Sequence, residues 1–141
     1  MIDTNPSYSI RSKHANKVLD VCQDTDRKGM LIIYDNYKQP NQLFKFVNAG
    51  SGYHIVSAKS NKMLTVAANS SNNGVPIFEE PLPNLEGQVF RLKQSSNNEF
   101  FIETFCGKVL DCFEERKDNG TRVIQYDFSG NNNQKWILEA H

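Results

Sequence analysis

No stretch of the chain approaches the about 18 consecutive apolar residues of a membrane-spanning helix, so no segment is expected to insert into a bilayer. Neither sign of charge is in excess, with 16 Lys and Arg against 16 Asp and Glu. A surface that tracks nucleic-acid phosphates needs clustered cations. The one basic pair, Arg116-Lys117, is enclosed by Glu114, Glu115 and Asp118, so no nucleic-acid partner is expected. The opening residues, Met1-Ile2-Asp3-Thr4-Asn5-Pro6, lack the basic and apolar regions of a secretory leader. Cysteine is scarce, and three residues (Cys22, Cys106, Cys112) leave at least one thiol free, which fits a reducing compartment. As written, the chain reads as cytoplasmic, with unconventional secretion as the alternative.

Residues for chemistry are also sparse. His14, His54 and His141 have no metal-ligand spacing. No cysteine has a base beside it in sequence, and no phosphate-binding loop is present. The adjacent acids Glu79-Glu80 and Glu114-Glu115 diverge on a strand, whereas glycoside cleavage needs two carboxylates facing each other across a bond. No catalytic residue, metal or cofactor is expected, and the chain reads as a binding protein rather than an enzyme.

What is abundant is asparagine, 16 of 141 residues, much of it beside Gly, Ser or another Asn. Asn tolerates left-handed backbone and closes local turns with its side chain. Many turns in a short chain mean many short strands, so the composition leans to all-β.

The chain also repeats itself. Lys17-Val18-Leu19-Asp20-Val21 recurs as Lys62-Met63-Leu64-Thr65-Val66 and as Lys108-Val109-Leu110-Asp111-Cys112. Upstream, Tyr8-Ser9-Ile10, Tyr53-His54-Ile55 and Phe100-Phe101-Ile102 correspond. Downstream, Gln42-Leu43-Phe44, Gln88-Val89-Phe90 and Gln134-Lys135-Trp136 follow at intervals of 46 residues. Within each copy apolar residues recur at a period of two, as in Val18/Leu19/Val21, Phe44/Phe46 and Trp136/Leu138, and no helical stripe appears. Gly29, Gly74 and Gly120 each precede a strand-like run. Each copy therefore reads as about four strands. One copy cannot bury its apolar face alone, so the three must pack around a shared axis. A single domain over 1–141 is expected, with repeats of approximately 8–50, 53–96 and 100–141. Cys112 aligns with Val21 and Val66 and reads as a small core residue.

Three copies of a motif ending in Gln-x-aromatic resemble the ricin B-chain type of β-trefoil lectin, whose repeat carries Gln-x-Trp. Here two of the three tryptophans are replaced by Phe44 and Phe90, and the resemblance runs from about Tyr8 to Glu139. It implies an all-β β-trefoil with pseudo-threefold symmetry. It also implies a lectin recognising galactose or N-acetylgalactosamine on glycans or glycoproteins. In that family an acid follows the leucine of the central strand, an aromatic lies further on, and an Asn precedes the hallmark Gln. The first copy fills these places with Asp20, Tyr34, Asn41 and Gln42, and the third with Asp111, Tyr126, Asn133 and Gln134. The residue types suit the ligand. An aromatic ring stacks on the C–H face of such a sugar, a carboxylate accepts from two hydroxyls, and an amide both donates and accepts. Two places before the aromatic, where the family often has a polar residue, stand Ile32 and Ile124. The family's within-repeat disulfide is not carried over, since Asn36 and Phe128 hold its place.

The second copy carries Thr65 for the acid and Gly87 for the Asn, with Phe78 as the candidate for its aromatic, and is expected to be structural. Plainer roles stand beside the functional ones. Asp20 and Asp111 have Lys17 and Lys108 as nearby partners, and Gln42, Gln88 and Gln134 persist in all three copies as if binding backbone. The alternative function is a protein-binding trefoil, protease-inhibitor-like or a docking module, acting through its loops with the Pro-rich insert 79–87 as its surface. The number of subunits stays open, a homo-oligomer included, and two shallow sites would make the protein an agglutinin.

Overall fold

In a computed structural model, which describes residues 2–81 and 85–141, each copy supplies four strands. The first forms β1 (Tyr8–Ser12), β2 (Val18–Val21), β3 (Leu31–Tyr34) and β4 (Phe44–Asn48). The second forms β5 (Tyr53–Ser57), β6 (Met63–Val66), β7 (Ile77–Glu80) and β8 (Arg91–Ser96). The third forms β9 (Glu99–Glu103), β10 (Val109–Cys112), β11 (Val123–Tyr126) and β12 (Trp136–Ala140). These runs are rich in β-branched and aromatic residues and are interrupted by Asn and Gly turns, as short strands require. The helical elements among the described residues are single 3-10 turns.

The outer strands of each copy close a barrel. β1 pairs with β4 and β12, β4 with β5, β8 with β9, and β9 with β12. A Tyr53–Phe90 bridge joins β5 to the residue leading into β8. The join falls at the same place in every copy, where an aromatic of the first strand faces the hallmark aromatic: Tyr8 opposite Phe44, Tyr53 opposite Phe90, Phe100 opposite Trp136. The inner strands form hairpins, β2–β3, β6–β7 and β10–β11, which meet through Met30–Phe78, Ile32–Arg122 and Pro76–Ile124 bridges. A closed barrel capped by a hairpin triplet with threefold repetition is a β-trefoil.

The pleat decides what faces the core. Leu19, Val21, Leu64, Val66, Leu110 and Cys112 join one apolar cluster with Phe44, Phe90 and Trp136. The sequence pattern groups Val18 with Leu19 and Val21, but alternation puts Val18 and Asp20 on the opposite side of the hairpin. Val109 and Asp111 stand likewise in the third copy, so each core leucine is followed by a residue aimed away from the core.

Adjacent copies interlock at the hairpin turns. Gly74 and Gly120 adopt φ of +84° and +88°, backbone that a side chain resists. Their N–H groups donate to Gln125 O and Ile33 O of the next copy, each at 2.9 Å.

Cys112 is wholly buried in this core, and burial pushes its thiol up to about 12. Thiolate is the reactive form. Cys112 is therefore expected to resist iodoacetamide at pH 8 in the native protein and to react fully in denaturant, as peptide mass analysis would show. Native labelling at the unfolded rate would contradict its core placement. No helix among the described residues is long and apolar enough to cross a membrane.

Candidate functional site

The first and third hairpins each carry an acid at the floor of an open cleft. In the first copy, Asp20, Tyr34, Asn41 and Gln42 all line a cleft of about 190 Å³. In the third, Asp111, Tyr126, Asn133 and Gln134 line one of about 500 Å³. Strand register explains the convergence. Asp20 lies opposite Ile32 and Asp111 opposite Ile124, so the tyrosine two residues on shares the face of the acid. Tyr34 is half-buried and leans on Tyr37, with ring centroids 6.1 Å apart. Tyr126 is 45% exposed.

The 3-10 turn before the last strand of each copy delivers the two amides to the carboxylate. Asn41 Nδ2 donates to Asp20 Oδ1 at 3.1 Å and Gln42 Nε2 to Asp20 Oδ2 at 2.9 Å. The third copy repeats this, with Asn133 Nδ2 to Asp111 Oδ1 at 3.1 Å and Gln134 Nε2 to Asp111 Oδ2 at 2.8 Å. Each carboxylate oxygen thus takes one amide and keeps room for one further donor. The glutamines are saturated. Gln42 also donates to Asp35 O and accepts from Tyr37 N–H, and Gln134 donates to Asp127 O and accepts from Ser129 N–H. Both are 1% exposed, so at the cleft wall they hold the acid and close the loop and keep no free group for a ligand. Asn133 Oδ1 is buried and has no partner among the described residues.

Burial raises the pKa of both acids above the usual 3.8. The amide hydrogen bonds oppose the shift, while Asp24 beside Asp20 and Glu115 beside Asp111 add to it. The lysines do not pair with these acids. Lys17 lies 3.9 Å from Asp35 and Lys108 lies 3.2 Å from Asp127.

The second copy lacks the assembly. Thr65, in the acid's place, donates to its own strand at Met63 O. Its aromatic assignment is corrected by register: Phe78 sits opposite Thr65, in the place of Ile32 and Ile124, and Glu80 takes the tyrosine position opposite Met63. The spacing agrees, since Glu80 lies seven residues before Gly87 as Tyr34 lies before Asn41 and Tyr126 before Asn133. Gln88 Nε2 is left without a partner among the described residues, having no acid to hold. Of the insert proposed as a docking surface, Leu82, Pro83 and Asn84 lie outside the described residues.

Sequence reasoning missed a clasp between copies. Asn119 Oδ1 accepts from Asp35 N–H and its Nδ2 donates to Asp35 Oδ2, both at 2.9 Å. Asn73 does the same to Asp127, also at 2.9 Å. Each fixes the residue after the tyrosine. The clasp holds the Asp127 carboxyl below the usual range, with Lys108 assisting. The signal was present as Asn73-Gly74 and Asn119-Gly120 at equivalent turns; the first copy has Lys28-Gly29, and its turn abuts the second copy. Phe113 and Phe128, which also line the third cleft, were missed too.

The closed barrel and its hairpin cap define a β-trefoil. Residues 2–79 match the Ricin-type beta-trefoil lectin domain-like family, and the chain belongs to it. No curated protein matches the chain. Among solved structures, a designed threefold-symmetric protein, ThreeFoil, is 29% identical with a TM-score of 0.90, covering 96% of this chain and 99% of that one. A ricin B-like lectin of Macrolepiota procera, solved in complex with lactose, is 19% identical at TM-score 0.87 and covers 100% and 99%. An exo-β-1,3-galactanase from Clostridium thermocellum matches at 23% identity and TM-score 0.90 over 100% of this chain, which spans only 31% of the enzyme.

Proposed function

We propose that the protein is a lectin that binds galactose- or N-acetylgalactosamine-type glycans through two shallow clefts, in its first and third copies. The observation that carries this reading is the doubled carboxylate: Asp20 and Asp111 each accept two amide N–H groups and retain one acceptor position per oxygen beside an accessible tyrosine. Two adjacent sugar hydroxyls fill those positions, and the ring's apolar face stacks on Tyr34 or Tyr126. Gln42 and Gln134 position the acids, and no residue acts on a bond. The lactose-bound neighbour supports the galactose preference.

A single open site of this kind gives about millimolar affinity, near −4 kcal/mol. Engaging two sites on one branched glycan multiplies this through effective concentration. Retention on immobilised galactose with elution by free lactose, together with agglutination of galactose-bearing cells, is the expected result. A glycan array without hits would overturn the reading.

Binding should also fall on acidification. The accepting form is the ionised carboxylate, present above the folded-state pKa and lost as pH falls through it. That pKa is raised, so affinity should begin to fall at a pH above the usual 3.8. The stability contribution has the opposite sign, because the folded state takes the proton more readily than the unfolded chain. Calorimetric titration with lactose between pH 4 and 7 would show the loss while the fold persists.

A further inference from the structure

Beside the third cleft lies a second, polar pocket of about 220 Å³ at the boundary of the third and first copies. Its walls include Arg27, Phe113, Arg116, Asp118, Thr121 and Arg122. Phe113 follows β10, Arg122 precedes β11, and Phe113 N–H donates to Arg122 O at 3.1 Å. The Arg122 guanidinium lies over the Phe113 ring, 3.5 Å from its centroid, which leaves the guanidinium edge free to donate. Arg27 reaches across from the first copy and is anchored by Nη1 donating to Gly120 O at 2.8 Å.

The charges on this wall are unbalanced. Asp118 is its only acid, and Glu114 takes up Arg116 at 2.7 Å. Arg27 and Arg122 are half-buried and have no acid partner among the described residues. A partly desolvated cation calls for a counter-charge, and the guanidinium fork matches the oxygens of a carboxylate or sulfate.

Phe113 is also a wall of the Asp111 cleft, so the two cavities adjoin. Glu114, Glu115 and Asp127 line the cleft side, which leaves the arginine side of Phe113 for an anion. Among the described residues the other copies have no counterpart. Cys22 and Met30 make the equivalent hairpin contact in the first copy, and Ala67 and Pro76 in the second.

We propose that the arginine pocket binds an oxyanion group, carboxylate or sulfate, carried by a glycan whose neutral galactose-type unit occupies the Asp111 cleft. The third copy then selects acidic glycans and the first copy neutral ones. The glycan half of this proposal rests on the lectin reading above; the anion half stands on the arginines alone.

The test has two arms. In the first, melting temperature is measured in sodium sulfate against sodium chloride at equal ionic strength, for wild type, Arg27→Gln/Arg122→Gln and the charge-preserving Arg122→Lys. Sulfate stabilises any folded chain by exclusion from its surface, so the site is read as the excess over the double variant: wild type should gain most, Arg122→Lys less, and the double variant only this general increment. Equal stabilisation of wild type and Arg122→Lys overturns the anion site even where the double variant fails to fold. In the second arm, lactose, a sulfated lactose and a lactose bearing a carboxylated terminal sugar are titrated calorimetrically. At least one acidic sugar should bind wild type about tenfold or more tighter than lactose, with an advantage that shrinks in salt. Arg27→Gln/Arg122→Gln should remove the advantage and leave lactose binding unchanged, and the better acidic sugar identifies the anion. Lactose binding with no acidic preference overturns the extended site alone. A sulfate effect that depends on Arg27 and Arg122, without any sugar binding, overturns the lectin reading and leaves the anion site in place.

Discussion

Trp136→Ala should destabilise the protein by about 3–5 kcal/mol, whereas Trp136→Phe should cost only about 1–2 kcal/mol. Trp136 is fully buried against Phe100, and its indole N–H donates to Leu110 O at 3.2 Å. Alanine there opens a cavity beside the barrel joint and leaves the Leu110 carbonyl short of a donor. Against a typical total of about 5–15 kcal/mol, that loss is large. Phenylalanine is different because the chain already contains the control. Phe44 and Phe90 occupy the same place in the other copies and are equally buried, so the site tolerates that shape. What remains is the lost indole hydrogen bond and a smaller void. Urea unfolding of both variants measures the difference. Equal costs for the two would show that the threefold likeness of the joint is geometric and not energetic.

That internal control is also why the fold was legible in the sequence. A repeat that recurs in register at Leu19, Leu64 and Leu110 and again at Phe44, Phe90 and Trp136 marks equivalent core positions without any structure. Strand alternation then carried Asp20 and Asp111 outward. Where it misled was in grouping Val18 with Leu19. Both are buried, and apolar character alone does not say on which side of a doubly covered hairpin a residue lies.

The candidate site was legible where one copy supplies all its parts. Asp20 with Asn41 and Gln42, and Asp111 with Asn133 and Gln134, meet within a copy because the central hairpin and the 3-10 turn of the same repeat abut. Contacts between copies were not legible. Asn119 clasps Asp35 across 84 residues and Asn73 clasps Asp127 across 54. Arg27 reaches Gly120 across 93. The Asn-Gly pairs at 73–74 and 119–120 marked equivalent turns, but nothing local in the sequence says which residue of another copy each side chain reaches. The misplacement of Phe78 has a simpler cause: it is the aromatic nearest the tyrosine place, but strand pairing sets it opposite Thr65 and gives that place to Glu80, a residue type that does not suggest the role.

The strongest effect on binding is expected from the acids. Asp20→Ala and Asp111→Ala should each remove one of two sites, and the double variant should show no detectable binding of galactose or lactose. Losing a charged acceptor of two hydroxyls costs about 2–4 kcal/mol, which carries a millimolar site out of the measurable range. The two singles should differ in stability. Asn41 Nδ2 retains Val21 O as a second acceptor at 3.2 Å when Asp20 is gone, whereas Asn133 Nδ2 has Asp111 as its recorded acceptor among the described residues. Asp111→Ala therefore leaves a buried amide stranded and should lower stability by about 1–2 kcal/mol more than Asp20→Ala. Relief of the burial that raises both pKa values is common to the two variants and leaves this difference in place. Stoichiometry from titration, read beside urea unfolding of the same samples, separates lost recognition from lost structure. A folded double variant that binds lactose as wild type does would remove both acids from the site, and with them the physical basis for assigning sugar recognition to these clefts.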